Sequence, residues 1–174
     1  MSNKTRLIAL TAMFIALVFV VTAFVKVPVS FTNGYKNLGD AVIFLSSLFF
    51  GPFLGFFIGG MGSMLADVFL GYTHYAIPTF IVKGIEGFIA ALIYRTYFKR
   101  KGDHFGAFFL ASLAAGLWMC LGYFLTNTLI FGRYEAALMG IPGNLAQAGI
   151  SLVAACLIYF ALKPILNYLR RKIS

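Results

Sequence analysis

LIALTAMFIALVFVVTAFV, Leu7–Val25, runs nineteen residues without a single charge. As a helix rising about 1.5 Å per residue it would span roughly 28 Å, close to the ~30 Å hydrocarbon thickness of a bilayer. Lys4 and Arg6 precede it. No small-x-small cleavage motif follows and further apolar stretches come after, so the segment reads as a retained membrane helix rather than a signal peptide. Working outward, apolar runs punctuated by Gly, Pro and polar clusters predict six helices, at about 7–25, 38–51, 53–70, 76–98, 106–131 and 143–168. The second is short for a span. It can begin near Leu38, tilt little, or sit behind the other helices. The expected fold is an all-α integral membrane protein, a six-transmembrane-helix bundle, with residues 1–174 forming a single transmembrane domain.

Composition agrees. Of 174 residues, 61% are hydrophobic and only 11% charged, with 20 Phe and 9 Tyr; a soluble domain is about a quarter charged. Mean hydropathy is +0.91. Six spans take about 120 residues, which leaves no room for a soluble domain. No G-x-x-x-x-G-K-[ST] phosphate loop occurs, so the chain is not itself an ATPase. Its net charge of +9 is read by position rather than as a sign of nucleic acid. With the N-terminus inside, Lys4, Arg6, Arg95, Lys99, Arg100, Lys101, Lys163, Arg170, Arg171 and Lys172 fall at inner ends, and only Lys26, Lys36 and Arg133 at outer loops. The positive-inside rule then puts both termini in the cytoplasm.

With that orientation the polar residues sort to one depth. Asp40, Asp67, Lys83, Glu86, Asn127, Asn144 and Gln147 lie in the outer parts of five helices, and the inner halves are nearly free of such groups. Intramembrane charges cost about 2.5–3.5 kcal/mol each on insertion scales and usually mark function. Lys83 and Glu86, at i and i+3, share a helix face and partly neutralise each other. The plainer reading is a structural ion pair with Asp67 that ties helices together. The sharper one is a polar pocket open to the outside, favoured because many helices contribute at one depth and Tyr35, Tyr72 and Tyr75 sit above them. Tyr35, Asn37, Tyr72 and His74 are expected as lid or stacking groups. Aromatic walls with a few placed polar groups suit a small planar ligand. A polar track to the inner side is missing, so the chain can capture a solute but not conduct it unaided.

No catalytic residue is expected. H-E-x-x-H and G-x-S-x-G are absent, and an aspartyl dyad of Asp40 and Asp67 has little to recommend it. Nor is a metal or other cofactor expected: His74 and His104 are far apart, and Cys120 and Cys156 lie in apolar runs as packing residues. Ala9, Ala12 and Ala16 line one side of the first helix, and Gly55, Gly59 and Ser63 one side of the third. Such small-xxx-small spacing permits close helix approach, within the chain or with a partner.

Taken together, Ala12-xxx-Ala16, Asn37-Leu-Gly-Asp40, Gly59-Gly-Met-Gly-Ser-Met-Leu-Ala-Asp67 and Lys83-Gly-Ile-Glu86 resemble the substrate-binding S component of an energy-coupling factor (ECF) vitamin transporter. The likeness is nearest to the hydroxymethylpyrimidine and pyridoxine branch. That resemblance implies a high-affinity vitamin-capture subunit in a prokaryotic plasma membrane. It also implies docking through Ala9, Ala12 and Ala16 onto a transmembrane coupling subunit, with two cytosolic ATPases supplying the energy. Release would follow toppling of the whole subunit. Asp67, Lys83, Glu86, Asn144 and Gln147 would be the polar ligand contacts. A self-sufficient small secondary transporter, or an S component for another vitamin, is the alternative.

Overall fold

A computed structural model describes residues 3–29, 34–101 and 104–171. Asn33 of the first polar loop and Lys172 of the basic C-terminal cluster lie outside the described residues. In chain order the elements are α1 (Asn3–Phe24), β1 (Lys26–Val29), β2 (Gly34–Asn37), α2 (Gly39–Ser46), α3 (Pro52–Phe69), α4 (Thr73–Lys101), α5 (His104–Leu125), a π-helical turn (Thr126–Ile130) and α6 (Tyr134–Arg171).

Five of the helices are long and apolar enough to cross a membrane. The exception is α2. Its eight residues reach only about 12 Å, and every one of them is buried. Around it stand α1, α3, α4, α5 and α6, all in contact with it. Gly39 and Asp40 begin α2 at the end of the bundle where Asp67 ends α3. A turn at Ser47–Gly51 then carries the chain to Pro52, which opens α3 with its missing N–H at the first helical position, where no intrahelical partner exists anyway. The second expected helix is therefore a central plug, hidden from lipid by its neighbours.

The segment read from sequence as a polar loop, Lys26 to Asp40, contains an antiparallel hairpin pairing Lys26 with Asn37, Val27 with Lys36, Pro28 with Tyr35 and Val29 with Gly34. The backbone N–H of Leu38 donates to Val25 O at 3.2 Å and ties the base of the hairpin to the end of α1. α6 also begins earlier than the expected 143, at Tyr134, and carries Pro142 within it. A proline interrupts a membrane helix less than a soluble one, because neighbouring helices and local adjustments satisfy the freed carbonyl.

Helix order around the plug is α1, α3, α4, α5, α6. α3 and α4 approach most closely. A methyl group on Gly55 would lie 2.6 Å from the carbonyl oxygen of Gly87, and one on Gly87 would collide in turn with the Gly55 carbonyl. Here glycine is required by backbone-to-backbone contact, the use that small-xxx-small spacing serves in membranes. Gly55→Val is thus expected to force α3 from α4 and to leave little monodisperse protein in detergent, whereas Ala at the exposed Gly149, where an added methyl meets nothing within 4 Å, should be neutral. Size-exclusion profiles of the two variants check this.

Below the polar end of the bundle the core is apolar. Phe44 of α2, Tyr94 of α4, Phe108, Ala111 and Ala115 of α5, and Tyr159 of α6 pack together, with Phe108 and Tyr159 stacked at 5.1 Å. On the other side Val18, Ile43, Phe50 and Ile58 form a second cluster joining α1, α2 and α3.

Candidate functional site: a polar cavity under the hairpin

The hairpin caps one end of the bundle, and the cavity beneath it has a volume of about 70 Å³. Its wall takes Thr22 from α1, Tyr35, Lys36 and Asn37 from β2, and Ser63 and Asp67 from α3. Tyr72 belongs to the turn that follows α3; Tyr75, Thr79 and Lys83 come from α4, Tyr123 and Asn127 from α5 and its π-turn, and Asn144 and Gln147 from α6. Eight of the eleven substrate-contact residues expected from sequence therefore line it.

Asp40, Glu86 and His74 do not. The first two stand behind the wall. Lys83 forms an ion pair with Asp40 and a second with Glu86 Oε2 at 2.9 Å. All three residues are at most 2% exposed. The ammonium also faces the Tyr123 ring, 5.7 Å from its centroid. The expected partner of the Lys83–Glu86 pair was Asp67; the structure supplies Asp40 instead, because α2 at the bundle centre brings its first turn against α4. Asp40 Oδ2 accepts from Gln147 Nε2 at 2.8 Å. Gln147 Oε1 accepts in turn from the Asn37 backbone N–H at 3.2 Å, and Asn37 Oδ1 accepts from the N–H of Gly39 at 2.8 Å. A buried charge survives only when paired and hydrogen-bonded, and this chain of contacts fixes hairpin, plug, α4 and α6 to one another.

His74 is exposed. It sits in the first turn of α4 with its ring 4.7 Å from the Tyr75 ring and 5.9 Å from Phe131. Helix phase turns the adjacent Tyr75 inward, where its hydroxyl donates to Asn127 Oδ1 at 2.6 Å. Asn127 Nδ2 donates to Tyr123 O at 2.8 Å, a bond made next to the π-turn, whose wider winding presents Asn127 to the cavity.

Asp67 is separate from the ion triad. Tyr35 donates its hydroxyl to Asp67 Oδ1 at 2.7 Å. Burial, then the neighbouring carboxylate, pushes the Tyr35 phenol above its ordinary range, so it stays a donor. Asp67 is 4% exposed, and its Oδ2 makes no direct hydrogen bond of good geometry among the described residues, although the Thr79 hydroxyl also acts on the carboxylate. The rings of Tyr35 and Tyr72 lie 5.2 Å apart. A buried, wall-forming carboxylate with one direct donor, Tyr35, and one oxygen outside direct hydrogen-bond geometry has room for a further donor.

Lys36, Thr22, Ser63, Thr79 and Tyr123 also line the cavity, and sequence reasoning did not select them. Lys36 hydrogen-bonds to Asn144 Oδ1. Burial and the nearby Lys83 ammonium lower its pKa from the ordinary lysine value, against a smaller opposing pull from Asp40. Thr79 and Tyr123 share a hydrogen bond of 3.2 Å. Each lies four residues before a selected residue, Lys83 and Asn127, and so on the same helix face; that spacing was the signal available. Among the described residues, no group of three His, Cys, Asp or Glu is placed to hold a metal.

The fold is that of a multi-pass membrane bundle, packed by an apolar core at one end and hollowed into a polar, aromatic-walled cavity at the other. The sequence matches the family described as ECF-type riboflavin transporter, S component, over residues 2–164, and the chain belongs to that family. It is a component of a membrane transport system. Among curated proteins it is 37% identical over 143 residues to an uncharacterised protein of Pyrococcus woesei, covering 78% of this chain and 93% of the relative. It is 30% identical over 157 residues to the thiamine precursor transporter HmpT of Lactococcus lactis subsp. cremoris, covering 89% of this chain and 87% of that one. A UPF0397 protein of Streptococcus thermophilus is 31% identical over 124 residues, with 70% and 67% covered.

Proposed function

We propose that the chain is the high-affinity capture subunit of an ATP-driven ECF-type importer for a small hydroxylated heteroaromatic ring, of the hydroxymethylpyrimidine or pyridoxine kind. The observation that carries this reading is the buried Asp67 carboxylate in the cavity wall, whose Oδ2 makes no direct hydrogen bond among the described residues. A ring amine or hydroxymethyl group would donate to it, the Tyr35 and Tyr72 rings would flank the heterocycle, and Asn127, Asn144 and Gln147 would address its remaining polar edge. Lys83 would set the floor, held there by Asp40 and Glu86 behind it. Kinship with HmpT, a thiamine precursor transporter, supports the same class. So does size: about 70 Å³ is far below the roughly 300–1,000 Å³ of sites for drug-sized ligands. That favours one ring over a tricyclic flavin, although the family is described by riboflavin.

In this reading the cavity faces outward and both termini the cytoplasm. α1 leads toward the hairpin and α6 away from it, so α1 starts and α6 ends at the end opposite the cavity, where the basic residues concentrate. Among the described residues the core under the triad is chiefly apolar, which suits a subunit that reorients as a whole. Energy would come from two cytosolic ATPases through a transmembrane coupling subunit. Ala9, Ala12 and Ala16 are exposed on α1, and only 17% of its apolar span is buried; this small-residue face would meet the coupling subunit. Ala12→Trp is expected to abolish co-purification with the coupling subunit and ATP-dependent uptake in vesicles, while the isolated variant binds ligand as before. An intact complex from Ala12→Trp would remove the docking assignment.

A further inference from the structure

We propose that the face formed by the start of α5 and the later part of α6 binds one anionic phospholipid, with an acyl chain in an apolar groove and the phosphate held by Lys163. The groove has a volume of about 400 Å³ and is lined by apolar side chains alone, chiefly Phe105 and Phe109 of α5 and Val153, Cys156, Leu157 and Phe160 of α6. The Phe105 and Phe160 rings, both part of its lining, lie 4.8 Å apart. Val153 and Leu157 are 60% and 68% exposed and form a wall that faces lipid.

Length and charge choose the occupant. Val153 to Phe160 covers about 10 Å of helix axis, most of the ~15 Å depth of one leaflet. Lys163 follows Phe160 by three residues and so shares its face. It is exposed, and its Nζ lies 5.9 Å from the Phe160 ring centroid. The groove thus runs along one leaflet and ends at a cation at headgroup depth. This is the end of the bundle opposite the polar cavity, where the sequence places Lys99–Lys101 at the end of α4 and Arg170 and Arg171 at the end of α6. Any membrane helix touches acyl chains. A cation at the mouth of a groove makes the contact selective for anionic headgroups.

The test is native mass spectrometry of the intact protein in mild detergent with equimolar phosphatidylglycerol and phosphatidylcholine. The wild type is expected to retain one phosphatidylglycerol, favoured about fivefold, the worth of one lysine near a charged headgroup. Lys163→Gln should equalise the two lipids. Val153→Trp should fill the groove and abolish retention of both, with monodispersity unchanged. Equal retention of the two lipids by the wild type, or an anionic preference that survives Lys163→Gln, would overturn the proposal. So would Val153→Trp leaving lipid retention intact while displacing a co-purifying membrane protein, which would make the face a protein interface.

Discussion

Lys83→Met is expected to unfold the bundle or leave it marginal. The substitution strands Asp40 and Glu86, both fully buried, beside each other without their cation. Breaking a buried pair by removing one partner costs about 3–5 kcal/mol, and here one lysine serves two carboxylates. For a chain of this size that corresponds to a fall in Tm on the order of 10 °C. The triple variant Asp40→Asn, Lys83→Met, Glu86→Gln removes the charges together and should recover most of the loss, since the new amide oxygen on α2 would still accept from Gln147. Thermal unfolding of the single and triple variants in detergent decides the matter; a single variant as stable as the wild type would show that the triad does not hold α2 against α4. Glu86→Gln alone belongs with these stability variants, because Glu86 touches Lys83 from behind and does not line the cavity.

Asp67→Asn is expected to act on the ligand instead. Tyr35 can donate to an amide oxygen as it does to Oδ1, so the fold should be kept within a few degrees of Tm. A hydrogen bond to a charged acceptor contributes about 1.5–3 kcal/mol, so affinity should fall roughly ten- to hundredfold. A titration of wild type and variant with hydroxymethylpyrimidine, alongside their melting curves, separates the two effects.

The helices were legible because each is a long apolar run, and the depth of Asp67, Lys83, Asn127, Asn144 and Gln147 could be read once those runs were aligned by charge. What escaped was set by contacts distant in sequence. Asp40 and Lys83 are 43 positions apart, and nothing local marks them as partners. The hairpin has no alternating pattern: its first strand, KVPV, carries a proline, which signals a break as readily as an edge strand. The early start of α6 was concealed by Pro142 and Gly143, which punctuate a soluble helix more firmly than one packed in a membrane. At the first turn of α4, His74 was the residue expected as a lid or stacking group. The phase of the helix decides between neighbours, and it turns Tyr75 inward.

Equilibrium titration of the purified protein with hydroxymethylpyrimidine, pyridoxine and riboflavin in parallel tests the central claim most directly. A cavity of this size with the buried Asp67 carboxylate in its wall predicts one tightly bound single-ring ligand per chain, a much weaker response to riboflavin, and loss of the tight site in Asp67→Asn. Tight riboflavin binding that is indifferent to Asp67→Asn would contradict it.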